Sequence, residues 1–453
     1  MTGDSSQAAA GEPAAAQTPA EGTKSSEGAT IVRRAGVVGI FTLLSRIAGY
    51  LRDAVMVNVF GAGVVTDVFV VAQTIPYVLR RLVAEGSLMI AFVPLLGAEK
   101  EQGGIPAMRR FFSSVLGAVL PLLFILVGLG MLFPEVLVKA MATGFKAESA
   151  ELASALVWRI RPFLLFVSLT AVASGALNVQ GVFAPPAAAS ILLNIVMIAG
   201  ILASASLSDP PILAVGWSLS LGGLAMLLLQ LPYLAKVGLL VRPRWDPKHP
   251  ALKTLVVRML PAVFGVAVYQ LNIIAIRQIA SALPRGQLSC YFVATRLEEF
   301  ALGVFAVSIS IAALPTLSEH AARGDRTALL ATYRRAIRAT NFITVPSAVG
   351  MFVLAEPIVG VLFRHGQFTA EAAMLSAELL RIMAVALIPI GLVRVLVPTY
   401  YAIGDTRTPV IAAMASLITT VGLGLALRTH LEIVGLTLAT LGGALAQVIV
   451  LSL

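Results

Sequence analysis

A 453-residue chain that is 58% hydrophobic and only 12% charged, with mean hydropathy +0.91, is not a soluble globular domain, which carries about a quarter charged residues. Its net charge of +10 sits in short loops and inside apolar segments rather than in a basic domain, so nucleic acid is excluded as the implied partner. The single cysteine, Cys290, cannot form an intrachain disulfide. The four histidines are scattered without metal-ligand spacing, so the sequence offers no catalytic centre, no metal site and no cofactor.

From the N-terminus, residues 1–31 are rich in Ala, Gly, Ser, Pro, Thr and Glu and bury too little apolar surface to fold, which predicts a disordered cytoplasmic tail. Twelve apolar runs then approach or exceed the ~20 residues needed to cross a bilayer. They lie at 37–60, 65–95, 112–137, 152–177, 187–206 and 212–234, then at 255–283, 288–314, 339–363, 373–401, 410–427 and 433–453. Continuous rather than alternating runs predict helices. With the N-terminus in the cytoplasm, seventeen Lys and Arg fall in cytoplasmic loops and five in outer loops, which sets that orientation.

The chain also repeats. Ala91-Phe92-Val93-Pro94-Leu95-Leu96 at the end of the second span matches Ala312-Ala313-Leu314-Pro315-Thr316-Leu317 at the end of the eighth, the prolines lying 221 residues apart. Gly181–Pro186 matches Gly404–Pro409 at an offset of 223. These matches predict an all-α polytopic protein of two six-helix lobes around a central cavity, related by a parallel repeat. The N-lobe is 32–238, a basic cytoplasmic linker 239–252 and the C-lobe 253–453.

Inside these spans lie arginines. A charge at the bilayer centre costs about 2.5–3.5 kcal/mol even on a lenient scale, so it must face a wet cavity, pair, or bind something. In the first span, Ser45-Arg46-Ile47-Ala48-Gly49-Tyr50-Leu51-Arg52-Asp53 places Arg46 and Arg52 about 120° apart on a helix. Adjacent Arg52 and Asp53 face different directions and need not neutralise each other, and Gly49 permits a kink or a close backbone approach. In the second span Asp67 lies near the outer end. Further along, Arg81 and Glu85 have the spacing of a pair, and Arg80 is expected to be the cation that this helical pairing does not use. In the eighth span Arg296 and Glu299 are spaced to pair. Arg46, Arg52, Arg80 and Arg296 are expected to converge, and the planar guanidinium fork suits a phosphate or diphosphate. Arg277, Arg381 and Arg394 are further candidates.

These residues resemble the MurJ (MviN) family of bacterial lipid II flippases, within the multidrug/oligosaccharidyl-lipid/polysaccharide exporter superfamily. The resemblance rests on the first-span motif just quoted, on Gly61-Ala62-Gly63 with Thr66-Asp67, and on Arg80-Arg81 with Ala84-Glu85-Gly86 and Ala91–Pro94. It continues in Arg296-Leu297 with Glu299-Phe300 and Gly303-Val304, and in Asp405–Val410, and covers the chain from about Arg33 onward. It implies a transporter rather than an enzyme, one that flips the undecaprenyl-diphosphate-linked peptidoglycan precursor across the inner membrane by alternating access. Its implied partners are that lipid-linked diphosphate, membrane lipids and cell-wall synthesis proteins. Ser45, Arg46, Arg52, Asp53, Arg80 and Arg296 correspond to cavity residues that contact the head group, with Asp67, Arg81, Glu85 and Glu299 in support. Three features depart from the family. Thr295 stands where many members have Asp, and Ile276 where some place a sodium-coordinating Asp. The chain stops at Leu453 inside an apolar run, short of the family's fourteen helices, and so reads as truncated before spans 13–14. Two other readings stand beside this one: a small-solute, multidrug or other lipid-linked oligosaccharide exporter of the same superfamily, and a non-transporting cell-wall scaffold.

Overall fold

The computed structural model describes residues 21–82 and 87–453, and the described residues are helical throughout apart from their connections. The first half contains α1 (Glu21–Phe60), α2 (Val64–Arg80), α3 (Ser87–Leu132), α4 (Pro134–Met141), α5 (Ala147–Ile160), α6 (Pro162–Val179), α7 (Ala184–Leu207) and α8 (Ile212–Lys236). The second contains α9 (Pro250–Ser281), α10 (Gln287–Ala322), α11 (Arg326–Val353), α12 (Ala355–Phe363), α13 (Ala370–Ala402) and α14 (Arg407–Ser452). Helix α1 is already formed at Glu21, the first described residue, inside the segment expected to be a tail, whose Ala, Glu and Lys prolong a helix readily once one exists. Residues 1–20 lie outside the described residues.

Breaks in the helices have local causes. The expected second span takes in α2 and the start of α3, with residues 83–86 outside the described residues, and α3 itself breaks at Gly103 and Gly104, the latter with φ +62°. The fourth span is α5 and α6, separated at Arg161 because Pro162 has no N–H to continue the ladder. The eleventh and twelfth spans are the two arms of α14, which turns at Glu432 (φ +50°). There Gln287 at the start of α10 donates to the Glu432 carboxylate and accepts from the Ile433 N–H.

The repeat runs through the whole fold. Helix α10 begins 223 residues after α2, α13 begins 223 after α5, and α14 begins 223 after α7. Helix α12 begins 221 residues after α4. Gly181 and Gly404 take the same left-handed turn, at φ +77° and +81°. Within the first half α7 packs on α1 and α8, and α8 on α6. Within the second α13 packs on α10, α11 and α14. Among the described residues, seven stretches are long and apolar enough to cross a membrane: 91–132, 147–179, 184–207, 212–236, 326–353, 370–402 and 407–452. Phe124, Leu202, Phe342 and Ile418 stay exposed on the outside, as a lipid-facing surface requires.

The halves meet most extensively where α3 faces α9, and also where α2 faces α10, with α1 against α10 and α12 and with α2 and α4 against α9. At the face bearing the α1–α2 and α9–α10 connections, here the turn face, one apolar core is shared by both halves. It includes Val57, Val68, Ile279, Leu288 and Phe363. Toward the opposite face, which bears the 237–249 connection, packing divides. Among the described residues, one cluster around Phe92, Phe111 and Phe112 takes in only the start of α9 from the second half, and another around Leu396 and Ala412 belongs to the second half alone. The two halves are therefore sealed at the turn face.

Candidate functional site

Gly49 does not kink α1, which continues unbroken to Phe60. Its missing side chain instead admits Asn194 of α7, whose amide nitrogen lies 3.5 Å from where a Cβ would sit. Asn194 donates to the Ser45 carbonyl (3.2 Å) and accepts from Arg52 Nη1 (3.1 Å). This buried amide was not legible as a site residue. A lone Asn in an apolar span has no partner visible in sequence, and its being there at all is the only signal.

Arg52 contradicts the expected independence from Asp53. Its Nε and Nη2 both donate to Asp53 Oδ1, at 2.9 and 2.6 Å. Neighbouring Cβ atoms do diverge around a helix, but the long arginine arm folds back over that angle. Both groups are buried, and a buried guanidinium stays charged, so an acid within reach is strongly favoured. The other oxygen, Asp53 Oδ2, lies 3.1 Å from Arg296 Nε on α10. Arg296 also pairs with Glu299 at 2.7 Å, as its spacing predicted, and its guanidinium stacks over Phe292 at 4.7 Å. Asp53 thus joins cations from both halves. The cluster is less bare than cation counting suggested, because two acids sit among its arginines.

Arg46 joins the same region. Its guanidinium fills the space beside Gly303 of α10, so a Cβ there would collide with it. Gly303 is the repeat counterpart of Arg80, 223 residues on, so one half's arginine occupies room left by the other half's glycine. Arg80 stacks on Tyr77 at 5.0 Å, and Tyr77 lies within electrostatic reach of Arg296. Arg81 stacks 5.9 Å over Tyr269 of α9, across the interface. Glu85, and with it the expected Arg81–Glu85 pair, lies outside the described residues.

Asp67 is not part of this cluster. It is buried at the turn face and accepts from the backbone N–H of Gly286 (2.6 Å) and Ser289 (2.7 Å) and from Ser289 Oγ (2.5 Å). An acid of the first half therefore caps α10 of the second. Further ties close this face. Gln367 N–H donates to the Asn58 carbonyl at 2.8 Å. Gln278 Oε1 accepts from Thr143, and Ser281 Oγ accepts from the Gly144 N–H. Gly286 (φ +86°) sits so close to the Ala62 carbonyl that a Cβ would come within 2.7 Å of it. The site is thus a buried polar layer between the halves, closed on one side by a dense latch.

The family model for lipid II flippase MurJ matches residues 56–453. The probable lipid II flippase MurJ of Haemophilus influenzae is 36% identical over 414 residues, covering 88% of this chain and 81% of that protein. The lipid II flippase MurJ of Burkholderia cenocepacia is 35% identical, covering 84% and 75%. Among solved structures, a lipid II flippase MurJ in an inward closed conformation superposes with TM-score 0.78 at 26% identity over 91% of this chain and 86% of that one. An inward-facing multidrug transporter of the MATE family shares the fold, with TM-score 0.72 at 15% identity over 89% and 92%. With the sealed two-lobe architecture and its arginine layer in place, these matches make the chain a member of the MurJ family of lipid II flippases.

Proposed function

We propose that this protein carries lipid II, the undecaprenyl-diphosphate-linked peptidoglycan precursor, from the inner to the outer leaflet of the bacterial inner membrane by alternating access. In this reading the N-terminus is cytoplasmic, the turn face is outward, and residues 32–238 and 253–453 move as two lobes joined by the 239–252 linker. The observation that carries it is Asp53 holding Arg52 and Arg296 from opposite lobes.

The chemistry follows from that geometry. A diphosphate offers more negative charge and more acceptor oxygens than one carboxylate, so it competes with Asp53 for the two guanidinium forks. Arg46 and Arg80 extend the cationic surface, with Ser45 and Asn194 supporting α1. Displacing Asp53 removes the carboxylate that ties the lobes together, so cargo binding and loosening of the interface are coupled. Cargo binding shifts the equilibrium only through such a difference between the two states. Asp67, at the turn-face latch, sets how readily the outward side opens. Moving one charge across 100 mV is worth about 2.3 kcal/mol, so a membrane potential is sufficient to bias the cycle.

The test is complementation of a bacterium depleted of its own flippase. Arg52→Ala and Arg296→Ala, expressed at wild-type level, are expected to fail. Full rescue by both variants would count decisively against this function.

A further inference from the structure

We propose that Arg277 is a second anion station, taking the diphosphate of the cargo as it passes from the Arg52–Asp53–Arg296 layer toward the turn face. The inference rests on the reading of the chain as a carrier of a lipid-linked diphosphate.

Arg277 lies on α9, its guanidinium 5.9 Å from the ring centroid of Tyr291, a buried residue of α10. Its Nε and Nη1 are buried and have no hydrogen-bond partner among the described residues. The acids that act on it are Glu299 and Asp67. Both are already engaged, Glu299 by Arg296 and Asp67 by Gly286 and Ser289. An arginine cannot shed its proton, so among the described residues this is a buried cation without an acid of its own.

Its height in the fold is what assigns the role. With a rise of 1.5 Å per residue, Tyr291 stands about 8 Å along α10 from Arg296, toward the turn face, and about 3 Å short of Ser289. Arg277 therefore sits between the central layer and the latch. The Tyr291 ring lies within cation–π range but takes up no N–H, so the unpartnered Nε and Nη1 remain for phosphate oxygens. The repeat counterpart, 223 residues earlier, is Ala54, so the station belongs to one lobe only.

The full chain is reconstituted in proteoliposomes, and transbilayer movement of a fluorescent lipid-linked diphosphate is followed for the wild type and for Arg277→Lys, Arg277→Gln and Arg277→Met. Loss of one charge-assisted contact predicts about tenfold slower movement for Gln and Met, with Lys retaining at least about a third of the wild-type rate. Melting temperatures are expected to agree within about 2 °C. Wild-type rates in both Gln and Met overturn the station, as does a Lys variant as slow as Gln. The Lys–Gln comparison decides even if the Met variant melts early. A wild type that moves no lipid-linked diphosphate overturns the underlying function instead. To separate cargo from free anion, a short prenyl diphosphate and inorganic diphosphate are compared as inhibitors. The prenyl compound is expected to inhibit the Met variant about tenfold more weakly than the wild type, and inorganic diphosphate to inhibit both alike. The same tenfold difference with inorganic diphosphate would assign the station to a free anion and overturn its role with cargo.

Discussion

Arg296 of α10 lies 3.1 Å from Asp53 of α1, and Asp53 holds Arg52 at 2.6 Å with its other oxygen. One carboxylate therefore serves two guanidiniums that belong to opposite halves. Such an arrangement is stable only while both cations are satisfied, which makes it a natural point for an anionic cargo to act.

Asp53→Asn leaves Arg52 and Arg296 buried with only an amide between them. Removing one partner of a buried pair costs roughly 3 kcal/mol. The apparent melting temperature of the purified protein is expected to fall accordingly. An unchanged melt would mean that the pair contributes nothing to holding the halves together.

Gly303→Ala places a methyl group where the Arg46 guanidinium now sits. The arginine arm is flexible and moves aside, so stability is expected to change by less than about 1 kcal/mol while transport falls. Gly303→Val should lower transport further. Transport rates and melts measured on the same preparations separate displacement of Arg46 from general damage.

Asp67→Asn removes the charge that caps α10 across the turn face. Hydrogen bonds to a charged group contribute about 1.5–3 kcal/mol, so the closed-to-open ratio should shift roughly tenfold or more toward open. Spin-label distances between the α1–α2 and α9–α10 connections report the shift. A distance distribution identical to the wild type would show that the apolar core alone closes this face.

Asp405 tests a smaller element outside the spans. Hydrogen bonds from Thr408, through its hydroxyl and its N–H, and from the Arg407 N–H hold its carboxyl below the usual 3.8. A lowered acid stabilises the fold fully above its ordinary value and loses that contribution as pH falls through the lowered one. Amide exchange in the first turn of α14 is therefore expected to accelerate below about pH 4 in wild type and to be fast at all pH in Asp405→Ala. Equal protection in the two proteins at neutral pH would remove the cap from the account.

Much of the fold was legible in sequence because a lipid environment demands long apolar runs, and because Pro94–Pro315 and Gly181–Gly404 exposed the repeat. The breaks were harder. Pro162 divides a run that hydropathy alone joins, and Glu432 turns α14 at a residue with no ordinary turn preference. The arginines were legible as anomalies, and Arg296–Glu299 as a helical pair. Asp53 was misread because helical direction was weighed without side-chain reach. Asn194 and Gly303 owe their importance to residues 142 and 257 positions away in sequence, on helices brought together only by folding. Asp67 was found but not its partner, since capping a helix in the other half leaves no local pattern.

The most direct measurement is equilibrium binding of a short prenyl diphosphate to the purified protein, with prenyl alcohol as competitor. The account predicts that Arg52→Ala and Arg296→Ala each weaken binding by about tenfold or more, and that the alcohol does not compete. Wild-type affinity in both variants, or displacement by the alcohol at equal concentration, would contradict a diphosphate held between guanidiniums of the two halves.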